Sequence, residues 1–232
     1  MKAYQIKIEF IDSDPLIWRR VVMPADATFK RLHDVIQTVT NFLGGYPSDF
    51  YHFYAFDLQD ENIRVTNDDE AYQEHQYFKK NRKEIEKKMI DTPPEFMKFQ
   101  EAQLKNLKTI IRKPTGIKID AYLENHGEIK YRYDFGDNWS FLITLEGITE
   151  SYHYGYPRLI DGAENAPPED VGGIPGFYDF LKIYENENHP DHEHVRVWAR
   201  EQRYREYDEE HINGMLKFIK YKKTEWDKLE SK

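Results

Sequence analysis

Residues 129–147 read IKYRYDFGDNWSFLITLEG, and the fold is decided by how this stretch is parsed. Tyr131, Tyr133 and Phe135 alternate with Arg132 and Asp134; Phe141, Ile143 and Leu145 alternate again further on. A period of two in aromatic and β-branched residues is the pattern of a half-buried strand. Gly136-Asp137-Asn138 between the runs is turn chemistry, because Gly and Asn tolerate positive φ and Asp bonds its own backbone. The stretch therefore predicts a hairpin of strands 129–135 and 139–147, with Asp134, Asp137 and Trp139 at its tip.

Working outward, residues 3–11 alternate Tyr4, Ile6, Ile8 and Phe10 against Gln5, Lys7 and Glu9. Residues 16–23 return after the Ser13-Asp14-Pro15 turn, and 51–58 make a further strand. Phe29, Leu32, Ile36, Val39 and Leu43 keep the spacing of one helical face, with Thr28 as N-cap and Gly44-Gly45 as the stop. Residues 117–125 fit either a short strand or a helical turn. Helices follow at Phe177 to Tyr184, after Asp191 and after Asp208. The expectation is an α+β fold with one mostly antiparallel sheet of strands 3–11, 16–23, 51–58, 129–135 and 139–147, its faces covered by helices.

Residues 67–113 differ in texture, with eleven Lys and Arg against nine Asp and Glu and few apolar positions. They predict a charged helical pair inserted into a single domain spanning 1–232, projecting from the core because they cannot bury one of their own. Lys79 to Lys88, with six basic residues, is the only stretch suited to nucleic acid; the formal net charge of −9 disfavours general nucleic-acid binding. No apolar run approaches the ~18 residues of a membrane span. The chain has no Cys, which excludes disulfides, thiolate metal sites and Cys nucleophiles. With no signal-peptide pattern, a cytoplasmic protein is expected.

Four carboxylates fall on turns and loops: Asp134, Asp137, Glu169 and Asp170. Converging, they suit Mg²⁺ or Ca²⁺, or an acid/base pair; the plainer reading has Asp137 build the turn and Glu169 and Asp170 brace the loop. A divalent cation is the one cofactor with side chains at hand. His33 beside the helix face and His52 in a strand are expected to be hydrogen-bonded structural groups unless both line one pocket. Arg19 and Arg20 must face opposite sides of their strand, so at most one pairs with the carboxylates. The 189–194 run HPDHEH lacks the spacing of a known metal motif. The Asp-Phe-Gly tripeptide has no accompanying kinase elements. The irregular 150–173 segment, stiffened by Pro167-Pro168, is expected to fold back on the hairpin, so that Trp139, Asp137 and Glu169 form one wall of a concave site.

In order, LIWRRV (16–21), LHDVIQ (32–37), HFYAF (52–56), YRYDFGDNW (131–139) and PPEDVGGIPGF (167–177) resemble the Ri-plasmid open-reading-frame-three family. Its members are often labelled transposon-associated or resolvase-like. The resemblance implies a single α+β domain associated with mobile elements and no established activity. Many relatives carry Cys near the last motif and a His two residues after the Trp; here Leu159, Ala166 and Val171 occupy the former neighbourhood and Phe141 the latter. A serine-recombinase activity finds no supporting constellation around Ser13. The expected function is that of a non-enzymatic binding module for a peptide, protein or small ligand. Its groove is formed by Arg19, Arg20, His33, His52, Asp134, Asp137, Trp139, Glu169 and Asp170. Metal-assisted hydrolysis by the same carboxylates and His is the alternative.

Overall fold

In a computed structural model the chain is described over residues 1–42, 52–90 and 108–219, side chains of 88–90 excepted. The described residues form one open sheet of eight strands and six α-helices. The strands are β1 (Ala3–Phe10), β2 (Trp18–Pro24), β3 (Tyr54–Leu58), β4 (Ile63–Thr66), β5 (Ile110–Arg112), β6 (Glu128–Tyr133), β7 (Trp139–Thr149) and β8 (Arg158–Ala163). Their order across the sheet is β5-β4-β3-β6-β7-β1-β2-β8. Every pairing is antiparallel except β4 with β5. The fold is α+β.

Alternation explains the register. Tyr131 faces Phe141 and Ile129 faces Ile143 across β6–β7, while Ile8 and Phe10 of β1 face Ile143 and Phe141. These residues share one face, and all are buried. Helix α1 (Phe29–Val39) lies on that face: Phe29 meets Phe56 edge-on at 5.0 Å, and His33 stacks on Tyr54 at 3.8 Å. Thr28 caps α1 by accepting from the Arg31 amide at 3.3 Å, as its position suggested. The opposite face, carrying Lys7, Glu9, Arg20, Lys130 and Arg132, is half-exposed over its central strands. The helices thus cover one face continuously, while much of the other is left to ion pairs.

Within 67–113, α2 (Asp69–Ile90) is helical with a break at Asn81. Ile110–Arg112, however, is the sheet-edge strand β5, and α2 packs against it with Phe78 buried. At that end the segment is part of the sheet. The second helix of the expected pair falls mostly outside the described residues, as do Tyr51 and the Gly44-Gly45 stop.

Residues 120–126 are helix α3, ended by Gly127 at φ +72°. Helices α4 (Gly173–Tyr184), α5 (His192–Glu201) and α6 (Glu209–Leu216) complete the described chain. Asp208 caps α6 through the His211 amide at 3.0 Å, whereas Asp191 makes no side-chain cap for α5.

Candidate functional site

The hairpin tip is a five-residue loop whose geometry rests on Asp134 and Asn138. Both adopt left-handed backbone, at φ +48° and +57°, and the Asn138 amide donates to the Asp134 carbonyl. Asp134 Oδ1 accepts from the Gly136 amide at 3.0 Å. Asp and Asn are the non-glycine residues that tolerate this conformation best. Asp134, rather than Asp137, therefore builds the turn, and its second carboxylate oxygen points elsewhere.

Asp137 reaches across to the 167–173 loop, where Oδ2 accepts from the Gly172 amide at 3.1 Å. A side chain at Gly173 would stand 3.0 Å from the Asp137 carbonyl, and Gly173 itself holds φ +70°. The close approach of loop to tip requires glycine there. The other end of the loop is tied to α1, with Asn41 pairing with Pro168 and donating to the Ala166 carbonyl at 2.7 Å.

This seam brings His52, Asp134 and Glu169 together. One donor atom from each lies within 4.8 Å of the others. His52 Nδ1 stands 3.4 Å from Asp134 Oδ2, and Nε2 stands 4.0 Å from Glu169 Oε2; neither contact is a hydrogen bond. Asn67 fixes the strand entry that carries His52, donating to the His52 carbonyl at 3.0 Å and accepting from the Tyr54 amide at 2.8 Å. Glu169 is buried, and its Oε1 accepts from the Tyr133 hydroxyl at 2.7 Å. Burial and, after it, the Glu169 charge push the Tyr133 phenol far above its ordinary range, so it remains a donor. Ligand atoms around an ion at about 2.1 Å stand about 3.0–4.2 Å apart, and one imidazole offers one nitrogen to an ion, so the three groups, within 4.8 Å of one another, are close enough for small side-chain movements to bring them onto one ion. One imidazole with two carboxylates suits Mn²⁺ or Zn²⁺.

The other expected site residues lie elsewhere. Trp139 is not a groove wall: it is 1% exposed, on the core side of the sheet, against Phe42 at 5.5 Å and Phe10 at 6.3 Å. Arg19 does not meet the carboxylates. It is buried and donates to the carbonyls of Val39, Trp18, Ala163 and Glu164 at 2.7–3.0 Å, with Tyr207 over its guanidinium. Arg20, on the outer face, pairs with Glu146 and Asp161. His33 is a core group, its Nδ1 2.7 Å from the Tyr131 hydroxyl. Both His33 and His52 neighbour the Tyr133 ring, at 6.0 and 5.6 Å, and His52 faces Asp134 and Glu169. Asp170 is exposed at φ +56° and stays outside the cluster. Tyr133 and Gly172 are the participants that the sequence reading did not single out.

Residues 2–215 match the profile of a family described as Plasmid pRiA4b ORF-3-like protein. An uncharacterized protein, y4hQ, of Sinorhizobium fredii (strain NBRC 101917 / NGR234) is 24% identical over 195 residues, covering 84% of this chain and 79% of that one. The crystal structure of the protein of unknown function MM3350 from Methanosarcina mazei Go1 has a similar fold. Its TM-score is 0.59 at 24% identity, over 90% of this chain and 96% of that one.

Proposed function

The chain belongs to the plasmid pRiA4b ORF-3-like family, and we propose that this member is a recognition module that holds a divalent cation between His52, Asp134 and Glu169 and uses it to bind a small ligand or peptide in the groove beside the hairpin tip. The observation that carries this reading is the set of three donor atoms within 4.8 Å that face one another without hydrogen-bonding. Carboxylates turned toward each other repel unless a cation lies between them. His52 and Asp134 are partly open to solvent, while Glu169 is buried. A cation there would retain coordination positions for a ligand oxygen.

Binding of Mn²⁺ to the purified protein, followed by electron paramagnetic resonance and calorimetry, tests this. One equivalent is expected. His52→Ala and Glu169→Gln should each weaken it by about a hundredfold, since loss even of groups outside the coordination shell costs 10–100-fold. A folded wild-type protein without saturable binding would sink the proposal.

The same three-ligand count favours one second reading, metal-assisted hydrolysis, because catalytic ions commonly have three protein ligands and a water. Mn²⁺-dependent cleavage of an activated phosphodiester, lost in Glu169→Gln, would select it over simple recognition.

A further inference from the structure

A concavity lies where α1, β2 and the segment leading into α6 meet, with Ala166 in its lining. It encloses about 850 Å³, within the range of small-ligand sites. Arg19 forms part of its floor, but the four carbonyls that engage Arg19 leave it little to offer a ligand. Arg205 is different. Asn41 clamps its main chain from both sides, accepting from the Arg205 amide at 3.2 Å and donating to its carbonyl at 2.7 Å. The guanidinium thus held in the cleft has only two partners among the described residues: Nη1 is 3.0 Å from His211 Nε2, and Nε makes a long contact of 3.5 Å to Asn41 Oδ1. No described carboxylate pairs with it. Of five N–H donors, both on Nη2 and one on Nη1 remain available. Burial accordingly depresses its pKa with no anion to offset the effect, the reverse of Arg20 beside Glu146.

A half-buried cation without an anion is costly, and a planar fork of donors matches a carboxylate bidentately. Around this single fork the lining is acidic and exposed: Glu206, Glu209 and Glu210 all face solvent and make no ion pair among the described residues. Such a rim repels a phosphate dianion and attracts an ammonium. We propose that this cleft binds the carboxylate of a ligand that also carries positive charge: a basic amino acid, or the C-terminal residue of a basic peptide. Arg205 takes the carboxylate at depth and the glutamates at the mouth take the cationic group. Capture of a chain-terminal carboxylate is an established mode of peptide recognition.

Calorimetric or NMR titration with the dipeptide Gly-Lys, its C-terminal amide and free lysine tests the proposal on the wild-type chain. The free acid should bind saturably and the amide about tenfold more weakly or worse, as expected for a lost charge-assisted pair. Arg205→Gln should reproduce the amide's loss on the free acid, with Arg205→Lys intermediate and the melting temperature confirming that each variant is folded. Glu209→Gln/Glu210→Gln should weaken Gly-Lys but leave Gly-Ala unchanged. Lysine binding as tightly as Gly-Lys assigns a free amino acid; tighter binding of Gly-Lys assigns a chain terminus. Equal affinity for acid and amide, tighter binding of inorganic phosphate, or no saturable binding at millimolar ligand would each overturn it.

Discussion

The two faces of the sheet treat charge in opposite ways. On the outer face carboxylates meet cations: Glu146 and Asp161 meet Arg20, Glu9 meets Lys7, and Asp57 meets both Arg64 and Arg132. On the inner face the polar groups are mostly phenols and an imidazole bonded to one another, as in His33, Gln37 and Tyr131. Where that face ends, at the hairpin tip, two carboxylates approach one imidazole without bonding to it. Paired charges on a solvated face contribute little and ask for no further explanation. Converging carboxylates are unfavourable by themselves unless a cation lies between them.

The largest effect that would sharpen this contrast comes from exchanging a ring on each face. Trp139→Ala, on the inner face, should destabilise by about 3–5 kcal/mol in urea unfolding. Trp18→Ala, between Lys7 and Arg20 on the outer face, should cost only about 1 kcal/mol. Comparable losses would mean that the faces are not energetically distinct.

Alkali gives the next test. Burial raises Tyr133 well above the ordinary tyrosine value of 10, and Tyr152 is pushed up to about 12. Such groups stay neutral in the folded chain while the unfolded chain ionises. Their contribution is complete below about pH 10 and is lost as pH rises through the folded values, at about 1.4 kcal/mol per pH unit for each phenol. Thermal unfolding followed from pH 9 to 12 should show a steepening fall, and phenolate absorbance should rise together with unfolding. Glu146 is depressed by its bond to Arg20, so its smaller contribution runs the other way. It is present above the ordinary carboxylate range and lost as pH falls through the lowered folded value.

The smallest effect is the one most able to break the comparison. Asp134→Asn keeps the side-chain oxygen for Gly136 and tolerates the same φ, but removes a charge facing Glu169. Without divalent ions it should stabilise by about 0.5 kcal/mol, whereas Glu146→Gln should cost about 0.5 kcal/mol and less in high salt. A destabilised Asp134→Asn would make the cluster a brace.

Much of this was legible from parity. The hairpin, β1, β2 and α1 announced themselves because their apolar residues repeat at two or at three to four. The same rule, taken one residue further, places Trp139 with Phe141 and Ile143, and Arg19 with Val21 and Met23, on the core side. Their expected roles at the groove conflicted with that parity. Strand β8 was not legible: RLIDGA looks like a turn, and Gly162 is there because a side chain would come within 2.9 Å of Arg19 Cδ and of the Tyr207 hydroxyl. Strands β4 and β5, of four and three residues, are too short to show a period. The meeting of His52 with Asp134 and Glu169 depends on how the 167–173 loop crosses the tip, which no local pattern encodes; only the loop's stiffness and its position after the hairpin hinted at it.

The placing of β1 between β2 and β7 sets a schedule for the nascent chain. Its pairing with β2 becomes available as soon as residues 3–24 leave the ribosome, but the opposite edge, where Ile8 meets Ile143, has no partner until β7 has been synthesised. Throughout that interval the first hairpin carries an unpaired apolar strand, and the late arrival of β7 closes the middle of the sheet. Folding should therefore be slow and non-local, with the half-made chain dependent on shielding by chaperones while that edge is open.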